Sequence, residues 1–425
     1  MTAPAPIELN RAISAIRNAT LVDGSVGDVM LADGVVTGAS AGIGNSAGPR
    51  SDELDATGYL LLPATAEPHA HLDKARSWDL INPPMGDLGV AIASWKQFAA
   101  TMTTADVAQR AHAQVCAMVA NGTTAIRSHV DILSGDHPLR GVHALVEVRE
   151  QLAGFVDIEL VALAGQDVPD SDIEAALDAG IDAVGGAPHL AIDPLGELHR
   201  LLAIAERRGV PVDLHTDESL NGAVTLDEFA RVVRNWPQNV SAGHCVRLGT
   251  MVGAERDAVI SQVVASRIGI IANPITNLYL QGWEHPVGTP RGLTALRELL
   301  DIGARVAAGA DNVRDPFNPL GRGDALETAM LLVVAGHLTI DEAYTAVSTG
   351  ARAVMGLPAA GTAVGNAADF LLIRAGSLAE AVADAPAERI VIHAGRIVAR
   401  AELHRELALP PATTIREHAP ALEMK

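Results

Sequence analysis

The feature that most constrains this chain is an alternation of short apolar runs with amphipathic stretches through its long middle. Strand candidates fall at 59–65, 123–130, 155–163, 181–185, 210–215, 239–245, 268–272 and 304–310. Helical stretches such as Thr104 to Ala120, Pro194 to Arg208 and Leu293 to Ile302 separate them. Repetition of this kind predicts parallel strands joined by crossover helices, and eight such strands predict a closed (β/α)8 barrel. Potential metal ligands punctuate the same runs: His69 and His71 follow the first, His215 and His244 end the fifth and sixth, and Asp311 follows the last. In a parallel barrel the C-terminal strand ends share one face, so these side chains are expected to converge on one ion.

Taken singly, each signal has a bland reading. On extended backbone, residues i and i+2 point the same way, so both imidazoles of Pro68-His-Ala-His-Leu-Asp73 can reach one ion. A solvated surface pair would look the same. His215, His244 and Asp311 could each be a capping or hydrogen-bonded group at a strand end. Their joint recurrence at four strand ends favours the metal centre, and Glu218, three residues after His215, adds a carboxylate at the same mouth.

Flanking the middle, short strand-like pieces at Asn18 to Leu21, Asp28 to Leu31 and Gly34 to Thr37 are broken by Asp-Gly turns. Similar texture returns at Asp369 to Ile373 and Arg389 to Ala399, turning at His393-Ala-Gly395. The two ends are expected to pair into one β-sandwich domain (1–62 with 363–425) beside a catalytic barrel (63–362). A length of 425 residues fits that division better than one core.

A net charge of −20 would repel phosphate backbones and anionic lipid, so nucleic-acid polymers and membrane surfaces are not expected partners. The first ten residues lack a signal-peptide pattern, and no apolar stretch approaches the roughly 20 residues a spanning helix needs. A cytoplasmic location follows as an expectation, with Cys116 and Cys245 as buried free thiols.

Val35-Val-Thr-Gly-Ala-Ser-Ala-Gly-Ile-Gly44 looks like a dinucleotide-binding turn, which would have to open a helix. Gly48-Pro49 follows instead, and no Tyr stands four residues before any of the lysines, Lys74, Lys96 and Lys425. We read the motif as a sandwich loop and set the dehydrogenase aside.

Together these residues resemble the amidohydrolase superfamily, in particular its cytosine deaminase-like branch, over almost the whole chain. The resemblance rests on Glu67-Pro-His-Ala-His-Leu-Asp73, Asp106-Val-Ala-Gln-Arg110, Arg127-Ser-His-Val-Asp131, His215-Thr-Asp-Glu218, Ala272-Asn-Pro274, Leu280-Gln-Gly282 and Asp311-Asn-Val-Arg-Asp-Pro-Phe-Asn-Pro-Leu-Gly321. It implies a distorted barrel with a flanking β-sandwich, a homo-oligomer, and hydrolytic deamination of a small heterocycle on one divalent ion, Zn or Fe, per subunit. By that likeness His69, His71, His215 and Asp311 would hold the ion. His244 would lie beside the attacking water rather than on the ion, and Glu218 would shuttle protons. Two-metal members use a carboxylated lysine on a middle strand, and no Lys occurs from 97 to 424. In such a site the ion lowers the pKa of water towards about 7. Glu218 would then protonate a ring nitrogen while His244 and Asp311 orient the water and take its proton.

The chain departs from that branch where the base is read. Asp311-Asn312 replaces a pair of aspartates, Phe317 replaces a tryptophan, and Gln166 follows a segment one residue longer. An amide at 312 both donates and accepts where a carboxylate only accepts. His189 and Trp283 join Gln166, Asn312 and Phe317 as candidate substrate contacts, whereas His129 and Asp131 are read as structural neighbours of the pocket. Asp-Asn followed by Arg-Asp also resembles the N-isopropylammelide amidohydrolases, which lack the Glu of His-Thr-Asp-Glu. Cytosine or a related aminopyrimidine is therefore the first expected substrate. Release of an alkylamine from an s-triazine, or opening of a cyclic amide, is the second. A non-catalytic ligand-binding barrel is the alternative of another class, which retention of Glu218 disfavours.

Overall fold

A computed structural model describes residues 8–42 and 50–408. Eight parallel strands form one sheet in strict sequence order: Thr65–Ala70, Thr123–Asp131, Asp157–Ala164, Ala183–Gly186, Val212–Thr216, Val240–His244, Gly269–Ala272 and Arg305–Ala308. Seven of them overlap the apolar runs of the sequence. Nearly every residue on them is buried, as expected for strands covered on one side by helices and on the other by the barrel interior. The predicted helices Thr104–Ala120 and Pro194–Arg208 stand as read, and the third is shorter, Leu296–Asp301.

The first strand departs from expectation. Residues 59–65 do not enter the barrel as a unit: Leu60–Pro63 joins the other sheet, pairing antiparallel with Phe370–Ile373, and the barrel strand begins at Thr65. Leu60, Leu61 and Leu62 are all buried, so an apolar run could not tell which sheet would bury it. His69 consequently lies on the first barrel strand rather than beyond it.

First and last strands close through few contacts. Ala70 bridges Asp311, and the His71 amide donates to the Asp311 carbonyl at 3.3 Å. Glu67 spans the same seam, accepting from the amides of His69 (3.1 Å) and Ala310 (2.8 Å). Glycine at 309 leaves room for that carboxylate, because a Cβ would lie 2.2 Å from a Glu67 carboxylate oxygen and displace it.

Both ends of the chain contribute to a second eight-stranded sheet, with Ala15–Thr20, Val26–Ala32, Val35–Ala41, Glu53–Asp55 and Leu60–Pro63 from one end and Phe370–Ile373, Arg389–His393 and Arg396–Ala401 from the other. Its ends meet: the Ala368 amide donates to Gly34 and the Ile13 amide to Gly395, so the sheet curls around its own core of Ile16, Val29, Leu54, Phe370 and Ile392. Alternate residues, Leu371, Ile373 and Val391, face the barrel core instead. The glycine-rich segment is not the loop expected from sequence. Val35–Ala41 is a strand of this sheet, where Gly38 and small side chains suit extended backbone, and residues 43–49 lie outside the described ones. Cys116 is exposed on its helix, against expectation, and Cys245 is buried. Among the described residues no helix is long and apolar enough to cross a membrane.

Candidate metal and active site

The strand ends bring four side chains onto one point. The Nε2 atoms of His69 and His71 lie 3.3 and 3.0 Å from Nε2 of His215, and Asp311 Oδ1 lies 3.2 Å from Nε2 of His71 and 3.9 Å from that of His69. All four are buried. Burial drives the His69 imidazole down to about 3 and holds those of His71 and His215 well below the ordinary value, so each ring is neutral with a lone pair to offer. Burial, then the neighbouring Glu218, pushes the Asp311 carboxyl well up. Neither Asp311 oxygen has a hydrogen-bond partner. Neutral nitrogens and an unpartnered carboxylate facing one another inside a protein are costly without a cation between them. The donor set therefore fits a divalent ion of borderline softness.

Behind these rings His129 is fully buried, with its centroid 4.3 Å from that of His69 and neither nitrogen bonded. His69, His129 and His215 also offer nitrogens within 4.8 Å of one another. Asp213 lies beneath them, 3.7 Å from His129 and 3.9 Å from His69 Nδ1, and is gripped by Arg127 at 2.9 Å.

Glu218 and His244 stand on the cavity side. His244 Nδ1 lies 3.4 Å from Glu218 and 3.9 Å from Asp311 Oδ2. With its His244 neighbour held neutral, the Glu218 carboxyl is pushed by burial up to about 8. The two are a neutral pair, not an ion pair. Asn277 approaches His244 at 3.1 Å and Asn273 at 3.4 Å, fixing the ring. Asp217 binds the amides of Thr225 and Leu226 with its carboxylate, and Gln281 donates to the Glu218 carbonyl at 2.7 Å, so the Glu218 backbone is held from both sides. Asp217, His244 and Asp311 adopt φ of 50, 67 and 59 degrees, the left-handed region that non-glycine residues rarely occupy. Strain of this sort collects where a side chain must be aimed.

These groups open into a cavity of about 650 Å³. Gln166, Asn312 and Phe317 line it. The Gln166 carbonyl accepts from the Ile192 amide at 2.8 Å, and the Asn312 amide donates to Asp315 at 2.8 Å, so each is anchored by one end. His189 and Trp283 are not among its lining residues. His189 packs behind, its Nδ1 3.2 Å from the His215 carbonyl, and Trp283 bonds the Tyr279 carbonyl while about half exposed. Sequence reading passed over the helix Leu88–Ala99, which covers the cavity. Its Trp95 donates to Asp131 at 2.6 Å, and Lys74 reaches the same carboxylate at 2.7 Å. The only hint was its apolar spacing at 88, 92, 95 and 99, which marks a buried face without saying of what. Glu67 was likewise quoted only as part of a motif, and its carboxyl, pushed up to about 8 by burial, belongs to the seam.

A parallel eight-stranded barrel carrying a buried histidine and aspartate cluster at its C-terminal rim has the architecture and the donor set of the metal-dependent hydrolases. The chain belongs to the amidohydrolase family, whose model matches residues 91–399. It is similar to a pterin deaminase of Rhizobium rhizogenes, 32% identical over 388 residues and 88% of each chain. In structure it is similar to 5-methylcytosine deaminase from Klebsiella pneumoniae (TM-score 0.83, 27% identity, 92% of this chain and 100% of the other). N-isopropylammelide isopropylaminohydrolase from Burkholderia multivorans is similar as well (TM-score 0.79, 31% identity, 92% and 99%). The chain is thus a hydrolase of C–N bonds. The family match starts beyond His69 and His71, whose place in the site rests on geometry.

Proposed function

We propose that this protein is a metal-dependent hydrolytic deaminase of an amino-substituted nitrogen heterocycle, with the amidine unit N=C–NH2 of an aminopyrimidine ring as its reacting group. The observation that carries this reading is a buried Glu218, 3.4 Å from His244, beside the histidine–aspartate cluster in one cavity, where burial raises its pKa. A carboxylic acid that keeps its proton near neutral pH can donate it to a ring nitrogen, the requirement of this reaction.

His69, His71 and His215 would hold the ion through Nε2 and Asp311 through a carboxylate oxygen. The ion, Zn or Fe, would supply Lewis acidity that makes water nucleophilic near neutral pH. Glu218 donates its proton to the ring nitrogen as the C=N bond opens to accept the water oxygen. His244 and Asp311 orient that water and take its proton, which is passed to the exocyclic nitrogen. The C–N bond then breaks, ammonia departs, the remaining hydroxyl proton returns to Glu218, and a C=O remains where C–NH2 stood. Asn277 and Asn273 keep the His244 ring in place.

The three relatives named above act, by their names, on a pterin, a methylcytosine and an N-isopropylammelide; the first two carry a ring N=C–NH2 and the third the alkylated form N=C–NHR. A cavity of about 650 Å³ lies within the ~300–1,000 Å³ of clefts that enclose drug-sized ligands, which favours a fused bicyclic aminopyrimidine of the pterin type over cytosine alone. Asn312 supports a second reading, alkylamine release from an s-triazine. The test is ammonia and amine release from pterin, cytosine, 5-methylcytosine and N-isopropylammelide, with elemental analysis of the same preparation. Metal-replete protein that releases neither from any of them would end this proposal.

A further inference from the structure

The chain has only three lysines, and two of them, Lys74 and Lys96, line the cavity, which no arginine among the described residues does. Lys74 is neutralised there by Asp131 at 2.7 Å and Asp73 at 3.2 Å. Lys96 is different: it is exposed and makes no ion pair among the described residues. It sits on the covering helix in the stripe formed by Leu88, Ile92, Trp95 and Ala99, which is otherwise apolar and turned to the cavity. Its place in the helix's last turn suits the helix dipole, which accounts for a cation at that end but not for its membership of the cavity stripe.

Resting on the deaminase reading above, we propose that the outer part of this cavity is a subsite for an anionic substituent on the heterocycle, contacted by Lys96. The amidine end of the substrate lies at Glu218 and His244. Leu88 and Ile92 pack along its apolar body, and the far edge carries a carboxylate or phosphate towards the Lys96 ammonium. Asp167, also on the lining, selects against anions placed on its side and so directs the substituent towards the covering helix. In a protein of net charge −20, a free ammonium in the cavity wall gives an incoming anion a local partner that the whole-molecule field does not.

The test compares matched pairs, 5-methylcytosine with 5-carboxycytosine and 6-methylpterin with pterin-6-carboxylate, in wild type, Lys96→Gln and Lys96→Glu. The expected result is a fall of about fivefold in the ratio of kcat/KM, carboxylated over neutral, for the glutamine variant, a larger fall for the glutamate variant, and a smaller effect at high salt, as for an exposed pair. A ratio independent of residue 96 in both pairs would overturn the proposal. Calorimetric binding of the carboxylated compounds, and of a 6-phosphonomethyl pterin to separate phosphate from carboxylate readers, gives a readout independent of turnover. If no compound of either pair, neutral or carboxylated, is deaminated by wild type, the deaminase reading falls. Loss of carboxylate affinity in Lys96→Gln then still supports the subsite, and equal affinity sinks it.

Discussion

In the proposed reaction a glutamate buried among imidazoles supplies the proton, and its surroundings decide whether it carries one. Desolvation by burial pushes the Glu218 carboxyl up to about 8. A group with a raised pKa holds its proton below that value and loses it above, so proton donation should weaken as pH rises through about 8. We expect kcat to show a basic limb there in steady-state assays of the preferred substrate. Glu218→Gln keeps the shape and removes the transferable proton, so kcat should drop by about 10²–10⁴-fold while elemental analysis finds the metal retained. Metal loss in that variant would instead make Glu218 a ligand, and a basic limb surviving with wild-type kcat would remove its role altogether. Residue types at strand ends carried this much of the site from sequence alone. Asn277 and Asp213 stayed silent, because a polar side chain acquires its meaning only from what faces it across the barrel.

Among the elements, the covering helix Leu88–Ala99 is tied to the rest by few side chains. Three residues are buried on it, Ala91, Trp95 and Ala99, and its polar link to the barrel is the Trp95 indole on Asp131. Trp95→Phe keeps most of the apolar area and deletes a hydrogen bond to a charged group, which should cost about 2 kcal/mol. Because the helix forms one wall of the cavity, KM should rise more than kcat falls, and limited proteolysis should cut earlier near Asn82–Gly86 than in wild type. Equal proteolysis rates would mean the helix is held by packing alone. The helix illustrates how periodicity informs and where it stops. Runs at 123–130 and 239–245 read as strands because β-branched and small residues make up most of both. The 59–65 run misled because Pro63 ends one strand and Thr65 begins another only two residues later, a break visible in the sheet pairing but not in hydropathy.

At the scale of the whole molecule, the question is what holds the terminal sheet to the barrel. We propose that residues 63–362 and the two termini form separate domains, sharing a seam at Asp369. Its carboxylate accepts from Arg352 at 2.8 Å and from Thr124 at 3.3 Å on the barrel side, and from the His393 ring at 3.1 Å and the Ala394 amide at 2.7 Å on the sheet side. Asp157, exposed at the start of the third barrel strand, lies 3.7 Å from the other nitrogen of His393. Burial opposes the charge on His393, yet the hydrogen bond and charge of Asp369 outweigh it and raise its pKa above 6.5, while His393 and Arg352 hold the Asp369 carboxyl below its usual range. The raised histidine contributes stability that is fully present below pH 6.5 and is lost as pH rises through its folded value. The depressed aspartate contributes stability that is present above about 3.8 and is lost as pH falls through its folded value. Urea midpoints of wild type and His393→Gln should therefore differ most near pH 5–6 and converge above neutrality. Asp369→Asn, which strands the Arg352 guanidinium, should cost about 3 kcal/mol across that range. A His393→Gln deficit that stays constant from pH 5 to 9 would show that shape, not charge, makes the seam.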